Sequence, residues 1–517
     1  MASHIYTKNR LIANLLLLSM VYLSSAKEAK YLILGAGAGG LRAAEILLER
    51  GITDFLILEG TDHIGGLTQT LVEFGGITFN AGEMQLEGDR ENMDSLGLDT
   101  ENLGLHLTDY DNWEVRNDYG EDVTSEADTR YEEMEKIREA TEELDEGVLK
   151  GERPDIDAKT AMAMKGWLAR TALDKIVQWY DFDFEEGVQM KRMSMFGPYR
   201  QDLQTGESPP YYFVTDHANG LYSRIQEQLD GDHLHLNTVV LKIDQSGDKV
   251  VVSTRDITSE EEHEYIADYV LVTFGIGVLQ HGEVEFNPPL PEWKTEQICR
   301  FQPASIEGIL LKFASKFWSD AEWILHASDR QDVDYHHYPA FWNLDREDIH
   351  PGSNMLIAMV TGEEALRVEG LTDEEIANEV MDVLKNMYGE ENVSELEDIY
   401  FKRWASDPFH YGTFTTWPIP AQVPEDAHDR LAAKFGHVYF ADDAESEKDI
   451  GRLSGTLEAT KTAMEKMIRC DEVEGGNCPD EYKVTPYMEC EQKDGRELYG
   501  CVLIEKKEGK TRKVQDL

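Results

Sequence analysis

The stretch YLILGAGAGGLRAAEILLERGITDFLILE, from Tyr31 to Glu59, constrains the fold more than any other part of the chain. Lys30 to Leu34 is a short apolar strand, Leu41 to Arg50 carries helical spacing, and FLILE is a second apolar strand closing at Glu59. Strand, helix and strand in such close succession predict a βαβ unit. Gly35, Gly37 and Gly40 form GxGxxG at the first strand-to-helix junction. The first glycine permits a tight turn, the second lets backbone approach a pyrophosphate, and the third lets helix and strand pack closely. The helix N-terminus offers free N–H groups and a positive dipole end to phosphates. Glu59 stands where a carboxylate accepts hydrogen bonds from ribose hydroxyls. Together these features predict a dinucleotide site.

At 517 residues the chain is long enough for two domains with substantial cores. Acidic side chains outnumber basic ones 101 to 49, for a formal net charge of −52. Such a field repels nucleic acid and anionic membranes, which excludes both as partners at this stage. It steers a basic small molecule inward, whereas a fatty-acid anion needs a local cation. The first residues carry the pattern of an export signal. Lys8 and Arg10 precede the apolar LIANLLLLSMVYL, and SSA ends at Ala26. The apolar run is short for a membrane span and no comparable run follows, so no transmembrane segment is expected. The expectation is a secreted protein starting near Lys27. Cys299 stands alone, whereas Cys470, Cys478, Cys490 and Cys501 cluster near the end, which suggests two disulfides with three possible pairings. NVS at Asn392 is a glycosylation sequon.

The fold class expected is α/β, with the nucleotide domain assembled from separated segments and a substrate domain of mixed sheet and helices inserted between them. The boundaries read as 1–26 for the signal, then 27–115, 213–300 and 416–469 for the nucleotide domain. Residues 116–212 supply a helical part and 301–415 a sheet and helices of the substrate domain; 470–517 is a cysteine-containing tail. Charged helical spacing from Glu126 to Leu168 supports the first insertion.

Gly65 and Gly66 follow the second strand, and GITFNAGEMQLEG, ADYVLVTFGIGVLQ, FNPPLPEWK, RWASDPFHYGTFTTWP and YFADDAESEKDIGRLSG follow in order. On these segments the chain resembles the flavin-containing amine oxidase superfamily, most of all its plant-type polyamine oxidases, from Tyr31 to about Ile468. The resemblance implies a two-domain, FAD-binding fold of the amine oxidase type. It implies FAD contacts at Gly35, Gly37, Gly40, Glu59, Gly66, the backbone of Val240 and Asp443. No cysteine lies in the matching flavin segment, so the FAD is expected to be non-covalent.

Several positions depart from the family's pattern. Leu67 stands in place of an arginine at the cofactor, and Asp442-Asp443 in place of a Gly-Glu pair. Gly308 replaces a lysine that in the family holds a water at the flavin and assists reoxidation by oxygen. Ile306 and Arg452 replace aromatic residues, and Ala405 replaces a tryptophan; Glu87, Phe414 and Trp417 keep the family's types. These changes suggest a site that is wider and less aromatic. Three functions follow. The first is an FAD-dependent, oxygen-independent double-bond isomerase of polyunsaturated fatty acids, with Glu87, Gly308 and Arg452 at the catalytic site and Arg452 anchoring the carboxylate. The chain is similar in class, export signal and length to the secreted algal polyenoic fatty acid isomerase of this superfamily. The second is a secreted amine or polyamine oxidase with an altered site. The third is a non-enzymatic extracellular protein that kept the fold. Structural roles compete for the same residues: Arg452 pairing with Asp442 or Asp449, Glu87 holding a loop, and Phe414 and Trp417 packing in the core. His336 and His337 read as a loop at the substrate domain's rim, without metal-ligand spacing.

Overall fold

The computed structural model describes residues 26–474 except 89, 96, 102, 150, 151, 196–209, 217–219, 230, 331–336 and 418–426. It also describes Cys478 and the strands Tyr487–Cys490, Cys501–Lys507 and Lys510–Lys513. The segment expected to direct export lies outside the described residues but for Ala26.

Strand β1 (Lys27–Leu34), helix α1 (Ala38–Glu49) and strand β2 (Phe55–Leu58) form the expected βαβ unit. Tyr31 to Leu34 pair in parallel with Phe55 to Leu58 on one side. On the other they pair in parallel with Tyr269 to Val272 of β3 (Glu262–Val272). All four residues are buried, which explains why this strand reads as an unbroken apolar run rather than an alternating one. The sheet runs Glu285–Asn287, Thr238–Asp244, Val250–Asp256, β3, β1, β2, Leu234–His235, with Val438–Phe440 also paired to β3. Its strands come from three separated stretches of the chain.

A second sheet has six strands. Its order is Leu396–Phe401, β4 (Ile306–Phe313), Met355–Thr361, Ala340–Asn343, Trp323–Ala327, Trp113–Asn117. Neighbours are antiparallel except for Trp113–Asn117, which pairs in parallel with Trp323–Ala327. The chain therefore enters this sheet at Trp113, ahead of residue 116. The charged stretch after it forms helices Thr124–Glu139, Glu142–Leu149 and Ala158–Lys165. Trp179, Phe184, Trp323, Trp342 and Met359 share one buried cluster that joins these helices to the sheet. A small third sheet pairs Gln85–Glu87 and Gly104–Leu107 with Tyr211–Asp216.

Among the described residues no helix is long and apolar enough to cross a membrane. Cys470 and Cys478 are bridged, with Cα atoms 5.7 Å apart. Cys490 and Cys501 face each other in the register of an antiparallel strand pair.

Two glycines fix the first turn. Gly35 has φ of +108°, where a side chain is strained, and a Cβ at Gly40 would overlap the Gly35 carbonyl oxygen. Gly40→Ala gains about 1 kcal/mol of helix propensity. The overlap outweighs it, and we expect net destabilisation of about 1–3 kcal/mol. A thermal unfolding scan of the variant beside the parent checks this, and an unchanged or raised Tm contradicts it.

Candidate functional site

Two connected cavities lie where the two sheets meet. The first runs along the C-terminal ends of β1 and β2, where α1 begins. Gly35, Gly37, Glu59, Gly66, Leu67, Val240 and Asp443 all line it. Gly40 does not; it acts behind the cavity by letting α1 approach the turn at Gly35. A Cβ built on Gly37 meets nothing within 4 Å, so the space before it is open to the cavity at the start of a helix. Glu59 accepts hydrogen bonds from the Ala36 N–H at 2.7 Å and from the Thr61 N–H and hydroxyl, each at 2.8 Å. These bonds hold the carboxylate at the strand end. The glycine pair is clipped to the same loop, because the Gly65 N–H donates to the Ala36 carbonyl at 2.8 Å. The ladder between Thr238–Asp244 and Val250–Asp256 slips between Val240 and Lys242, which shapes backbone beside the cavity. This open, glycine-walled cradle at a helix start fits the diphosphate of FAD.

The acidic pair behaves differently at its two positions. Asp443 accepts from the Thr415 N–H at 2.6 Å and the Thr415 hydroxyl at 2.7 Å, so both its oxygens are already engaged. Asp442 lies within 3.5 Å of the Thr456 hydroxyl, and a Cβ on Gly39 would touch the Thr456 methyl. Asp442 thus sits on the side of the cavity where α1 starts. Burial, and then the neighbouring Asp443 and Glu445, raise its pKa well above the usual carboxylate range.

The second cavity opens from the first. Leu67, Glu83, Thr413, Phe414, Thr415, Gly451, Arg452 and Leu453 line both. Beyond that junction its wall carries Glu87, Glu185 and Glu186, with Tyr110, Phe184, Tyr211, Trp342, Trp404 and Trp417 among them. The expectation of a de-aromatised site is therefore corrected. Ile306 lines the cavity without a ring, but aromatic side chains reach it from other elements, including Trp404 beside Ala405. Arg452 donates to Glu87 in an ion pair, not to the carboxylates of Asp442 or Asp449. Burial raises the Glu87 pKa, opposed by this guanidinium. Gly308 lies in a small side cavity rather than in the main one. A Cβ there would overlap Met84, whose side chain fills the position. Phe414 lines both cavities, and Trp417 is buried at the wall of the second. His337 is not on a rim. It is buried 3.1 Å from Glu364, and His336 lies outside the described residues.

Sequence reasoning missed Glu83, Glu185 and Glu186. Glu83 stands within the quoted GITFNAGEMQLEG, four positions before Glu87. Glu185 and Glu186 follow a π-helical stretch, Trp179–Asp183, in the aromatic and acidic run WYDFDFEE.

A family model for flavin containing amine oxidoreductase matches residues 38–467. The chain is 32% identical to polyamine oxidase 1 of Zea mays, across 87% of this chain and 92% of the maize protein. It is 31% identical to polyamine oxidase 7 of Oryza sativa subsp. japonica, across 87% and 98%. It is 25% identical to human lysine-specific histone demethylase 2, across 84% of this chain and 53% of that one. The chain belongs to the flavin-containing amine oxidoreductase family, and its cofactor is FAD. Among the described residues no cysteine lines either cavity.

Two variants separate holding the cofactor from holding the fold. Gly37→Ala meets no neighbour, so the unfolding free energy of the apoprotein should stay within about 0.5 kcal/mol of the parent. FAD affinity should fall, because the new methyl points into the cradle. Asp442 is neutral at low pH and ionises as pH rises, adding negative charge near the phosphates. FAD affinity of the parent should therefore fall on raising the pH. Asp442→Asn should flatten that dependence and bind more tightly at the alkaline end, on the order of tenfold. Fluorescence titration of apoprotein with FAD, repeated across the pH range in which the apoprotein stays folded, reads both; parallel curves for parent and Asp442→Asn remove the charge argument.

Proposed function

We propose that the protein is an FAD-dependent amine oxidase whose substrate is a di- or polyamine cation. The observation that carries this reading is the charge of the second cavity. Among the described residues Glu83, Glu87, Glu185 and Glu186 line it against one cation, Arg452, which is already paired to Glu87. Rings of tyrosine, tryptophan and phenylalanine stand between these acids. Carboxylates attract an ammonium and ring faces stabilise it once water is excluded. The chain's net charge of −52 steers a polycation toward the opening. The maize and rice relatives are named polyamine oxidases, which agrees with this substrate class.

When bound, FAD supplies a two-electron acceptor. The chain's own residues do the rest. The acids hold the ammonium groups of an extended substrate, and the aromatic wall orients its carbon chain. Leu67, Phe414 and Leu453 give the junction an apolar lining that limits water.

The fatty acid isomerase reading keeps one observation in its favour: among the described residues no lysine lines either cavity. That feature bears on reoxidation by oxygen, not on the oxidation of an amine. The isomerase also needs a free cation for the carboxylate, and Arg452 is engaged by Glu87. We further propose that the protein acts outside the cell. The Cys470–Cys478 bridge and the exposed turn at Asn392 support that setting.

Purified holoprotein mixed with spermine or spermidine under anaerobiosis tests the main reading. Bleaching of the flavin band near 450 nm (roughly where free flavins absorb) is expected, with peroxide formed once air is admitted. Retention of the band with every amine, together with growth of conjugated-polyene absorbance from a polyunsaturated fatty acid, would instead establish the isomerase.

A further inference from the structure

The segment that carries Glu83 is held at both of its main-chain groups. Its N–H donates to the Leu67 carbonyl at 2.9 Å, and its carbonyl accepts from the Asn80 side-chain amide at 2.7 Å. The carboxyl itself makes no hydrogen bond among the described residues, although it lines the junction of the two cavities. A carboxyl placed this firmly, desolvated and without a partner, costs stability unless it serves a ligand. The backbone bond to Leu67 ties it to the loop of the cofactor cavity, while its neighbours in sequence, Met84, Gln85 and Glu87, line the substrate cavity. A substrate atom that reacts with a group held in the first cavity crosses the junction that Glu83 helps to line.

Amine oxidation sets a chemical requirement at that point. An alkylammonium, with a pKa of about 10.4 like that of lysine, is protonated near neutral pH. Its nitrogen has no lone pair to push out a hydride from the neighbouring carbon. One proton must leave before the carbon–hydrogen bond breaks. We propose that Glu83 is the group that accepts this proton, a role that rests on the amine oxidase reading above. The step is a single proton transfer. An N–H bond of the ammonium breaks, an O–H bond forms on the Glu83 carboxylate, and no electrons change hands. A neutral amine and a neutral carboxylic acid result. Water exclusion favours this direction, because it disfavours both charged forms at once.

Other carboxylates of the site are less suited. Glu87 is held by Arg452, and Glu186 accepts from the Thr416 hydroxyl at 2.9 Å. Glu185 lines only the second cavity, and Asp442 and Asp443 line only the first. The phenols of Tyr110 and Tyr211 belong to residues of the second cavity's wall, and burial keeps both protonated. Burial, and then the charge of Glu87, push the Glu83 pKa up to about 7. The accepting carboxylate is therefore lost below that value and gained above it.

The experiment uses FAD-loaded protein and anaerobic stopped-flow reduction by spermine from pH 5.5 to 9. The parent's limiting rate should rise with one-proton dependence through about pH 7. Glu83→Gln should lower it on the order of a hundredfold and abolish that limb. Glu83→Asp should keep the limb at a lower rate. Affinity for hexamethonium, a dication with no N–H to lose, supplies a readout independent of turnover. Followed by perturbation of the flavin spectrum, it should strengthen through the same pH range in the parent and stay flat in Glu83→Gln. A Glu83→Gln protein that keeps the pH limb and reacts within threefold of the parent overturns the role of Glu83 while leaving the oxidase reading intact. A parent reduced by no amine at any pH overturns both. Should Glu83→Gln fail to retain flavin, Glu83→Asp decides: a limb and rate identical to the parent's overturn the proposal.

Discussion

The hydrogen bond from the Glu83 N–H to the Leu67 carbonyl is the contact on which the site depends. Leu67 follows the glycine pair clipped to the nucleotide turn, and Glu83 begins the segment that leads to Glu87. The approach is close enough that a Cβ on Gly82 would overlap the Leu67 carbonyl. One backbone bond thus fixes the distance between the element that holds the cofactor and the element that faces the substrate. Side chains from the second sheet and its helices complete the wall, but they meet a junction already set by this pair. Positioning of this kind accounts for a large share of what a site contributes to a reaction.

Charge is the second determinant. Leu67 brings no charge to the cofactor side, and Asp442 and Glu83 add acids near it. FAD carries negative phosphates, and neutral groups attract them: N–H donors at the start of α1 and the backbone beside Gly37, Gly65 and Gly66. Burial reduces the conflict by keeping Asp442 protonated, since a neutral acid donates a hydrogen bond where an ionised one repels. The Arg452–Glu87 pair has a comparable effect in the second cavity. Its geometry neutralises one acid of that wall.

Local signals in the sequence carried far. The apolar run of β1, the GxGxxG turn and Glu59 each depend on neighbours within one βαβ unit, and they stand where the spacing placed them. Contacts made across long separations were less legible. Gly308 read as an opening in the catalytic site, yet Met84, more than two hundred positions earlier, fills the space before it. Ile306 and Ala405 read as loss of an aromatic wall, because matching positions one by one cannot count rings contributed by Tyr110, Tyr211 and Trp342. Arg452 read as a free cation or a partner of nearby aspartates, whereas its partner is Glu87, 365 positions away.

These misses share a cause that also bears on substrate choice. A departure from a family's pattern shows what one position has lost, but a cavity is the sum of what all its walls supply. The loss of a lysine and three rings, which the resemblance implied, suggested an apolar channel for a fatty acid. The assembled wall is acidic and still aromatic, and desolvating a fatty-acid carboxylate among Glu83, Glu87, Glu185 and Glu186 adds repulsion to an already costly transfer. An ammonium reverses the sign of that electrostatic cost. It relieves the crowding of the acids, and at Glu83 it brings a proton to a carboxylate whose surroundings favour the neutral form. Binding and deprotonation of a cation thus draw on the same excess of acid along the cavity wall.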